Sequence, residues 1–293
     1  MSTPVWLEAA VNGPWSRARQ PLIPITGDEI VNDALACADA GAAIIHLHAY
    51  DAATGRQRDD YELYAPIIER IRSRRDVICY PTLPFAGSAD SRTPLSPEDR
   101  FKAVLQLLRA GLIEWSVVDP GSVNIAHYAD LAAAREGFVY ANPESHIRYG
   151  LELAREYAMT PSYAIYEPGF LRLGAALRKA HAGAPTPVYR FMFSERLAFG
   201  FPPAAWALDA YLKLLASEAP NAPWMVSGLG VEIGPLIEAT VERGGHVRTG
   251  LEDVPFGSSL DNRRLTERAE RAISAAGGRA ASPAEVRAVL KAA

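Results

Sequence analysis

The chain has 293 residues, 49% of them hydrophobic and 22% charged, with a formal net charge of −4. That composition describes an ordinary globular chain with a large core, and its mildly acidic balance leaves no basic stripe for nucleic acid. No apolar run approaches the ~20 residues needed to cross a membrane, and the start "MSTPVWLEAAVNG" lacks the basic-then-apolar order of a signal peptide, so a cytoplasmic protein without membrane contact is expected.

The predicted elements alternate along the chain. Strand-like "VWLEAAVN" (5–12) leads through a polar loop to a helix opened by Thr26 and Glu29, at capping-box spacing, and closed at Gly41. "AAIIHLHA" (42–49) reads as the second strand and "YELYAPIIERIRSRR" (61–75) as the second helix. "VICYPTL" (77–83) is followed by a helix from "SPEDRF" to Gly111, and "EWSVVDPG" (114–121) by a helix over 143–158. Strands "PSYAIYE" (161–167), "PVYRFMF" (187–193), "PWMVSGLG" (223–230) and "GHVRTGL" (245–251) complete the set, with helical patterns near 168–181, 202–217 and 233–243. "NRRLTERAERAISAAGG" and "SPAEVRAVLK" supply the last helices, Ser282 and Glu285 repeating the capping spacing. Cys37 and Cys79 lack CxxC spacing and read as buried free thiols.

Eight β-then-α units with near-continuous apolar strands predict a (β/α)₈ TIM barrel, one domain over 1–293 with a C-terminal helical extension. A doubly wound open sheet would prefer a Gly-rich phosphate turn after strand one, and "AAVNGPWSR" has no G-x-G-x-x-G. Active sites of such barrels lie at the carboxyl ends of the strands. Asn12, His46, His48, Thr82, Asp119, Ser122, Asn124, Glu167, Arg248, Glu252 and Asp253 all fall at such ends.

Two stretches carry chemistry. In "AGAAIIHLHAYD" (40–51), strand alternation turns His46 and His48 to one face with Leu47 opposite. A shared divalent metal would bind both as neutral donors; a polar pair where a strand meets solvent fits the local pattern equally well. In "GGHVRTGLED" (244–253), Glu252 can supply the carboxylate that often accompanies two histidines, while Asp253 pairs with Arg248. A surface salt-bridge cluster is the plainer alternative. His246, in phase with Arg248, reads as a structural histidine facing inward.

Together with "VNGP" near the start, "PGSVN" (120–124) and the ending "SPAEVRAVL", these stretches resemble the β-keto acid cleavage enzymes, in order through nearly the whole chain. The resemblance implies a zinc-dependent barrel that converts a β-keto acid and acetyl-CoA into acetoacetate and a new acyl-CoA, in a homo-oligomer. It places His46, His48 and Glu252 as zinc ligands, and Arg248 and Asp253 as the catalytic arginine and its partner carboxylate. Thr82, Ser122 and Asn124 fall at substrate-contacting positions, with Asn12 and Trp15 beside them after strand one. The sequence departs from the family at two places. A relative acting on an amino substrate carries a glutamate where this chain has Trp15, which points to an uncharged β-keto acid, or to a quaternary ammonium held by cation–π contact. "FMFSERLAFGFPP" replaces a glycine-rich stretch on strand six and bears on how CoA is held. Three rivals are weighed at this level: a zinc-dependent aldolase that uses no CoA, a metal-dependent hydrolase, and a barrel that binds a metabolite or metal without turnover, against which the intact set of His46, His48, Arg248, Glu252 and Asp253 argues. The hydrolase pattern needs histidines on strands five and six, which have none.

Overall fold

A computed structural model describes residues 2–86 and 95–292. Eight strands form one parallel sheet: β1 (Leu7–Ala10), β2 (Ile44–Leu47), β3 (Ile78–Pro81), β4 (Trp115–Val117), β5 (Thr160–Ile165), β6 (Val188–Phe193), β7 (Trp224–Gly228) and β8 (His246–Thr249). Each lies within the span predicted for it, give or take one residue. β8 ladders onto β1, with Arg248 level with Glu8, so the last strand returns to the first. β3 and β4 run side by side and complete the ring without a shared ladder. The result is a nearly closed TIM barrel.

The strands are buried throughout because one face meets the helical layer and the other fills the barrel. The helices start where the capping signals put them. Thr26 accepts from the Glu29 N–H while the Glu29 carboxylate takes the Thr26 N–H at 2.9 Å, closing a capping box ahead of helix Gly27–Asp39. Ser96 caps helix Pro97–Arg100, and Ser282 with Glu285 opens helix Pro283–Ala292.

Three short pairings were not predicted. Thr3–Val5 pairs with Gly278–Ala280 outside the barrel. Tyr50–Asp51 with Arg56–Gln57 makes a ribbon after β2, and Val123–Ile125 with Phe138–Tyr140 another after β4. Each is only two or three residues long and carries too little apolar periodicity to be visible as a strand. Both ribbons rise from the carboxyl ends of their strands, beside the barrel mouth. Among the described residues no helix is long and apolar enough to cross a membrane.

Barrel registers set the interior in layers. The floor is aromatic, with Trp6 against Trp115 at 6.1 Å and His246 stacked on Trp6 at 4.0 Å. One layer up lie Glu8, Tyr80, Ser162, Arg190 and Arg248, all buried. His46 stands level with Ala10 on one side and Tyr80 on the other, one inward position nearer the mouth than Glu8 on β1.

Candidate active site

Strand β2 ends where the histidines begin to open on the barrel mouth. Asn12 locks this end: its amide donates to the His48 carbonyl at 2.9 Å and accepts the His48 N–H at 2.9 Å, with its second proton on the Pro24 carbonyl. The two imidazoles stand nearly perpendicular, 5.1 Å apart, and His46 leans on the Tyr80 ring.

The carboxylates arrive on the turn after β8. Gly250, at φ +146°, makes that turn feasible, since a Cβ there would lie 2.1 Å from the Ala10 carbonyl oxygen. Two buried amides brace the loop from outside. Asn262 accepts the Leu251 N–H and donates to Val11 and Asp33, and Gln20 bonds the Leu251 carbonyl and the N–H groups of Gly257 and Ser258. Gly13, at φ +64°, leaves room for the Glu252 side chain, whose Cγ would be 2.6 Å from a Cβ.

Glu252 Oε2 lies 3.5 Å from His46 Nε2 and 3.6 Å from His48 Nε2. Donors about 2.0–2.1 Å from a tetrahedral zinc stand ~3.3–3.4 Å apart, close to both of these separations, and the ligand atoms of the three residues all lie within 4.8 Å of one another. His48 Nε2 and Glu252 Oε2 are buried without a hydrogen-bond partner, which is costly unless something else engages them. The donor set suits a divalent metal ion such as zinc, and three protein donors leave a tetrahedral ion a fourth position.

Arg248 organises the charges. Its Nε and Nη2 grip Asp253 at 2.9 and 2.8 Å, Nη2 also reaches Glu252 Oε1 at 3.0 Å, and Nη1 donates to Glu8 at 3.1 Å. Glu8 in turn accepts from the Tyr80 hydroxyl at 2.6 Å, and Arg190 donates to Tyr80 and Ser162 at 2.8 Å each. Burial opposes charge on both mouth carboxylates, yet with different outcomes. At Glu252 the guanidinium of Arg248 and the two imidazoles outweigh burial and hold the carboxyl well below its ordinary range. At Asp253 burial prevails over Arg248 and moves the carboxyl up. His46 is pushed well down by burial, whereas Glu252 and the Gln57 oxygen overcome burial at His48 and raise it.

Of the residues singled out in the sequence, His46, His48, Arg248, Glu252 and Asp253 converge. Thr82 follows β3 at the rim, half-buried, in phase with inward-facing Tyr80. Trp15 donates its indole N–H to the Glu252 carbonyl at 2.9 Å and meets Phe256 edge-on. Ser122 and Asn124 are exposed beyond β4. The Ser122 hydroxyl accepts the Asn142 N–H, and no hydrogen bond links either residue to the histidine–carboxylate cluster. Asp119 is occupied by the Tyr140 hydroxyl and the Ala164 N–H. His246 accepts the Trp6 N–H in the floor, as a structural histidine would. Glu8, Tyr80 and Arg190 went unassigned. A charged residue inside an apolar barrel strand was the available signal, because it must face the interior with partners there.

The sequence matches the beta-keto acid cleavage enzyme family over residues 4–291. The chain belongs to that family. Within it, this member is 26% identical over 99% of its length to the 3-dehydrocarnitine:acetyl-CoA trimethylamine transferase of Rhizobium meliloti strain 1021, covering 97% of that protein. It is 26% identical to the 3-keto-5-aminohexanoate cleavage enzyme of Fusobacterium nucleatum, over 94% of this chain and 93% of the other. A third relative, the 3-oxoadipate:acetyl-CoA acetyltransferase of Cupriavidus necator, is 27% identical over 86% of this chain and 81% of its own. Among solved structures, apo ObcA superposes with a TM-score of 0.73 at 14% identity, over 94% of this chain and 66% of ObcA, a likeness of fold alone.

Proposed function

We propose that this protein is a zinc-dependent enzyme that condenses a β-keto acid with acetyl-CoA to give acetoacetate and a new acyl-CoA. The observation that carries the reading is the division of labour at the β8 turn. Glu252 Oε2 faces the two imidazole nitrogens while its neighbour Asp253 is gripped by Arg248. Relatives named for acetyl-CoA transfer support the co-substrate.

In this reading His46, His48 and Glu252 hold the zinc. Zinc bound there supplies Lewis-acid polarisation of a ketone oxygen. Asp253 takes the proton from the carbon between ketone and carboxylate. Its Oδ2 already accepts from Arg248 Nε and Ser227, whereas Oδ1 accepts only from Arg248 Nη2, so Oδ1 has the freer lone pair for that proton. The resulting carbanion attacks the acetyl carbonyl and the C–S bond breaks. The released CoA thiolate adds to the original ketone, the bond to the former α-carbon breaks, and Asp253 returns its proton to acetoacetate. No proton or electron is gained or lost overall. Arg248 holds Asp253 in place throughout and stabilises its charged form.

Thr82 is assigned to the substrate from the β3 rim, and Ser122 and Asn124 from the ribbon after β4. Asn12 acts through the His48 backbone, and Trp15 through an apolar ring face beside the Glu252 turn. Across the barrel from β2, at the mouth ends of β5 and β6, Ala164, Met192, Leu197 and Phe199 form a second apolar cluster with Tyr166 packed on it. An uncharged acyl chain suits that wall. The deciding experiment follows acetyl-CoA consumption and acetoacetate release with neutral, amino and trimethylammonium β-keto acids, in wild type and Trp15→Glu. The neutral substrate is expected to have the highest kcat/KM in wild type, with the amine gaining in the variant. Cleavage without acetyl-CoA consumption would instead identify an aldolase. A homo-oligomer is also proposed; exposed Phe85, Tyr128, Leu131 and Phe138 near the mouth support it, and light scattering tests it.

A further inference from the structure

The ribbon after β2 places one side chain directly behind a histidine of the cluster. Gln57 Oε1 lies 2.9 Å from His48 Nδ1. The other end of the same amide donates to both oxygens of Asp59, at 3.0 and 2.8 Å. Asp59 is held in turn by the Tyr64 hydroxyl at 2.6 Å, from the first turn of helix Tyr61–Arg72, where Tyr64 is fully buried. The Arg58 N–H fastens the ribbon to the Ala49 carbonyl, so the whole assembly is rigidly tied to the end of β2.

These contacts leave little freedom of orientation. A carboxylate only accepts, so the Gln57 NH₂ must face Asp59 and its oxygen must face the histidine. An amide oxygen also only accepts, so His48 Nδ1 must carry the proton. Nε2 is then the nitrogen with the free lone pair, and it is the orphaned atom 3.6 Å from Glu252. His46 has no such support; among the described residues its Nδ1 is buried without a partner.

We infer that Gln57 and Asp59 form a positioning relay that fixes the tautomer and ring orientation of His48 and presents its Nε2 toward Glu252. As a device for metal binding, this rests on the zinc reading above. Its chemical character is specific. A carboxylate set directly on Nδ1–H would pull on that proton, making the ring a stronger donor and offsetting more of the ion's charge. An amide between ring and carboxylate orients the histidine while keeping it a neutral ligand, which leaves a bound ion more strongly polarising.

The test compares wild type with Gln57→Leu, Gln57→Glu and Asp59→Asn. Zinc dissociation constants are measured by competition with a chromophoric chelator, and the His48 tautomer by ¹⁵N NMR of the metal-free proteins. Gln57→Leu should weaken zinc by ~10–100-fold and convert His48 from the Nδ1–H form to a mixture, with the melting temperature of the metal-free protein little changed. Gln57→Glu, which still accepts from Nδ1–H, should bind zinc at least as tightly as wild type and turn over more slowly. Asp59→Asn no longer dictates which end of the amide faces His48 and should show the same mixed tautomers, so it serves if Gln57→Leu does not fold. A Gln57→Leu protein with unchanged zinc affinity and a pure Nδ1–H tautomer overturns the relay. Wild type that binds no zinc overturns the proposed function, and the tautomer measurement still decides the relay.

Discussion

The floor of the barrel makes a prediction about pH that can be worked through in numbers. His246 is 8% exposed, stacks on Trp6 at an interplanar angle of 15°, and accepts the Trp6 N–H on Nδ1 at 3.2 Å. Burial pushes its pKa down to about 3, only partly opposed by the Gly245 backbone. In the unfolded chain the same group titrates near ~6.5. Between these values the unfolded state binds a proton that the folded state refuses, so stability is full above about pH 6.5 and falls as pH drops toward 3. At ~1.4 kcal/mol per pH unit, roughly 2 kcal/mol is lost by pH 5. His246→Phe keeps the stack and removes the titration, but strands the buried Trp6 N–H, a cost of ~1–3 kcal/mol. The variant should therefore be the weaker protein at pH 7.5, and its deficit should shrink by about 2 kcal/mol at pH 5. Urea unfolding of both proteins at pH 5, 6 and 7.5 measures this directly, since other titrating groups cancel in the difference. A deficit that stays constant across that range refutes the reasoning.

Three further outcomes are expected at the mouth. His46→Ala or His48→Ala should abolish turnover and lower zinc content, measured by elemental analysis, while circular dichroism shows the barrel intact. Asp253→Asn and Arg248→Lys should each lower kcat by ~100-fold or more with zinc still bound, and the double variant should lose little more than either alone, because the two act as one unit; loss of zinc in Asp253→Asn would mean that ligand and base have been exchanged. Gly250→Ala should lower both zinc affinity and melting temperature, because a Cβ 2.1 Å from the Ala10 carbonyl forces the turn carrying Glu252 and Asp253 to move; a variant with wild-type zinc affinity would show that the turn tolerates the shift.

The barrel was legible because short apolar runs alternate with helical patterns along the chain, some opened by a cap such as Thr26 or Ser282 and some closed by a glycine such as Gly41 or Gly111. The histidine pair was legible from strand parity, and the carboxylates from their place just beyond β8. What stayed hidden lies in residues whose meaning depends on distant partners. Gln57 looks like an ordinary loop glutamine until the ribbon folds it back onto His48, nine positions earlier. Asn262, at the start of helix Asn262–Ala275, braces Leu251, eleven positions earlier, and Val11, 251 positions earlier. Ser122 and Asn124 illustrate the reverse. Their strand-end position could be read, but not that the chain after β4 rises into an exposed ribbon before reaching its helix. Local pattern cannot reveal such an excursion.

In the proposed reading, charge inside the barrel ties the metal to the kind of substrate. Glu8, Glu252 and Asp253 are set against Arg190 and Arg248, while Asp119 at the mouth has Arg100 in its field. Asp59 lies outside this interior, on the ribbon behind Gln57, and the interior so composed has one carboxylate more than it has guanidiniums. An unbalanced buried negative charge is expensive unless a cation engages it. In the proposed reading a divalent ion turns an excess of one negative charge into an excess of one positive charge. A β-keto acid with an uncharged chain brings a single carboxylate and restores neutrality. A dicarboxylic β-keto acid overshoots by one negative charge, and an ammonium-bearing one leaves the positive excess in place. Adding a dicarboxylic member to the substrate panel therefore tests this balance independently of Trp15. It should have a lower kcat/KM than the neutral chain in wild type and in Trp15→Glu alike, and a dicarboxylic preference in either protein would show that a further cation, not counted in this interior, receives the second carboxylate.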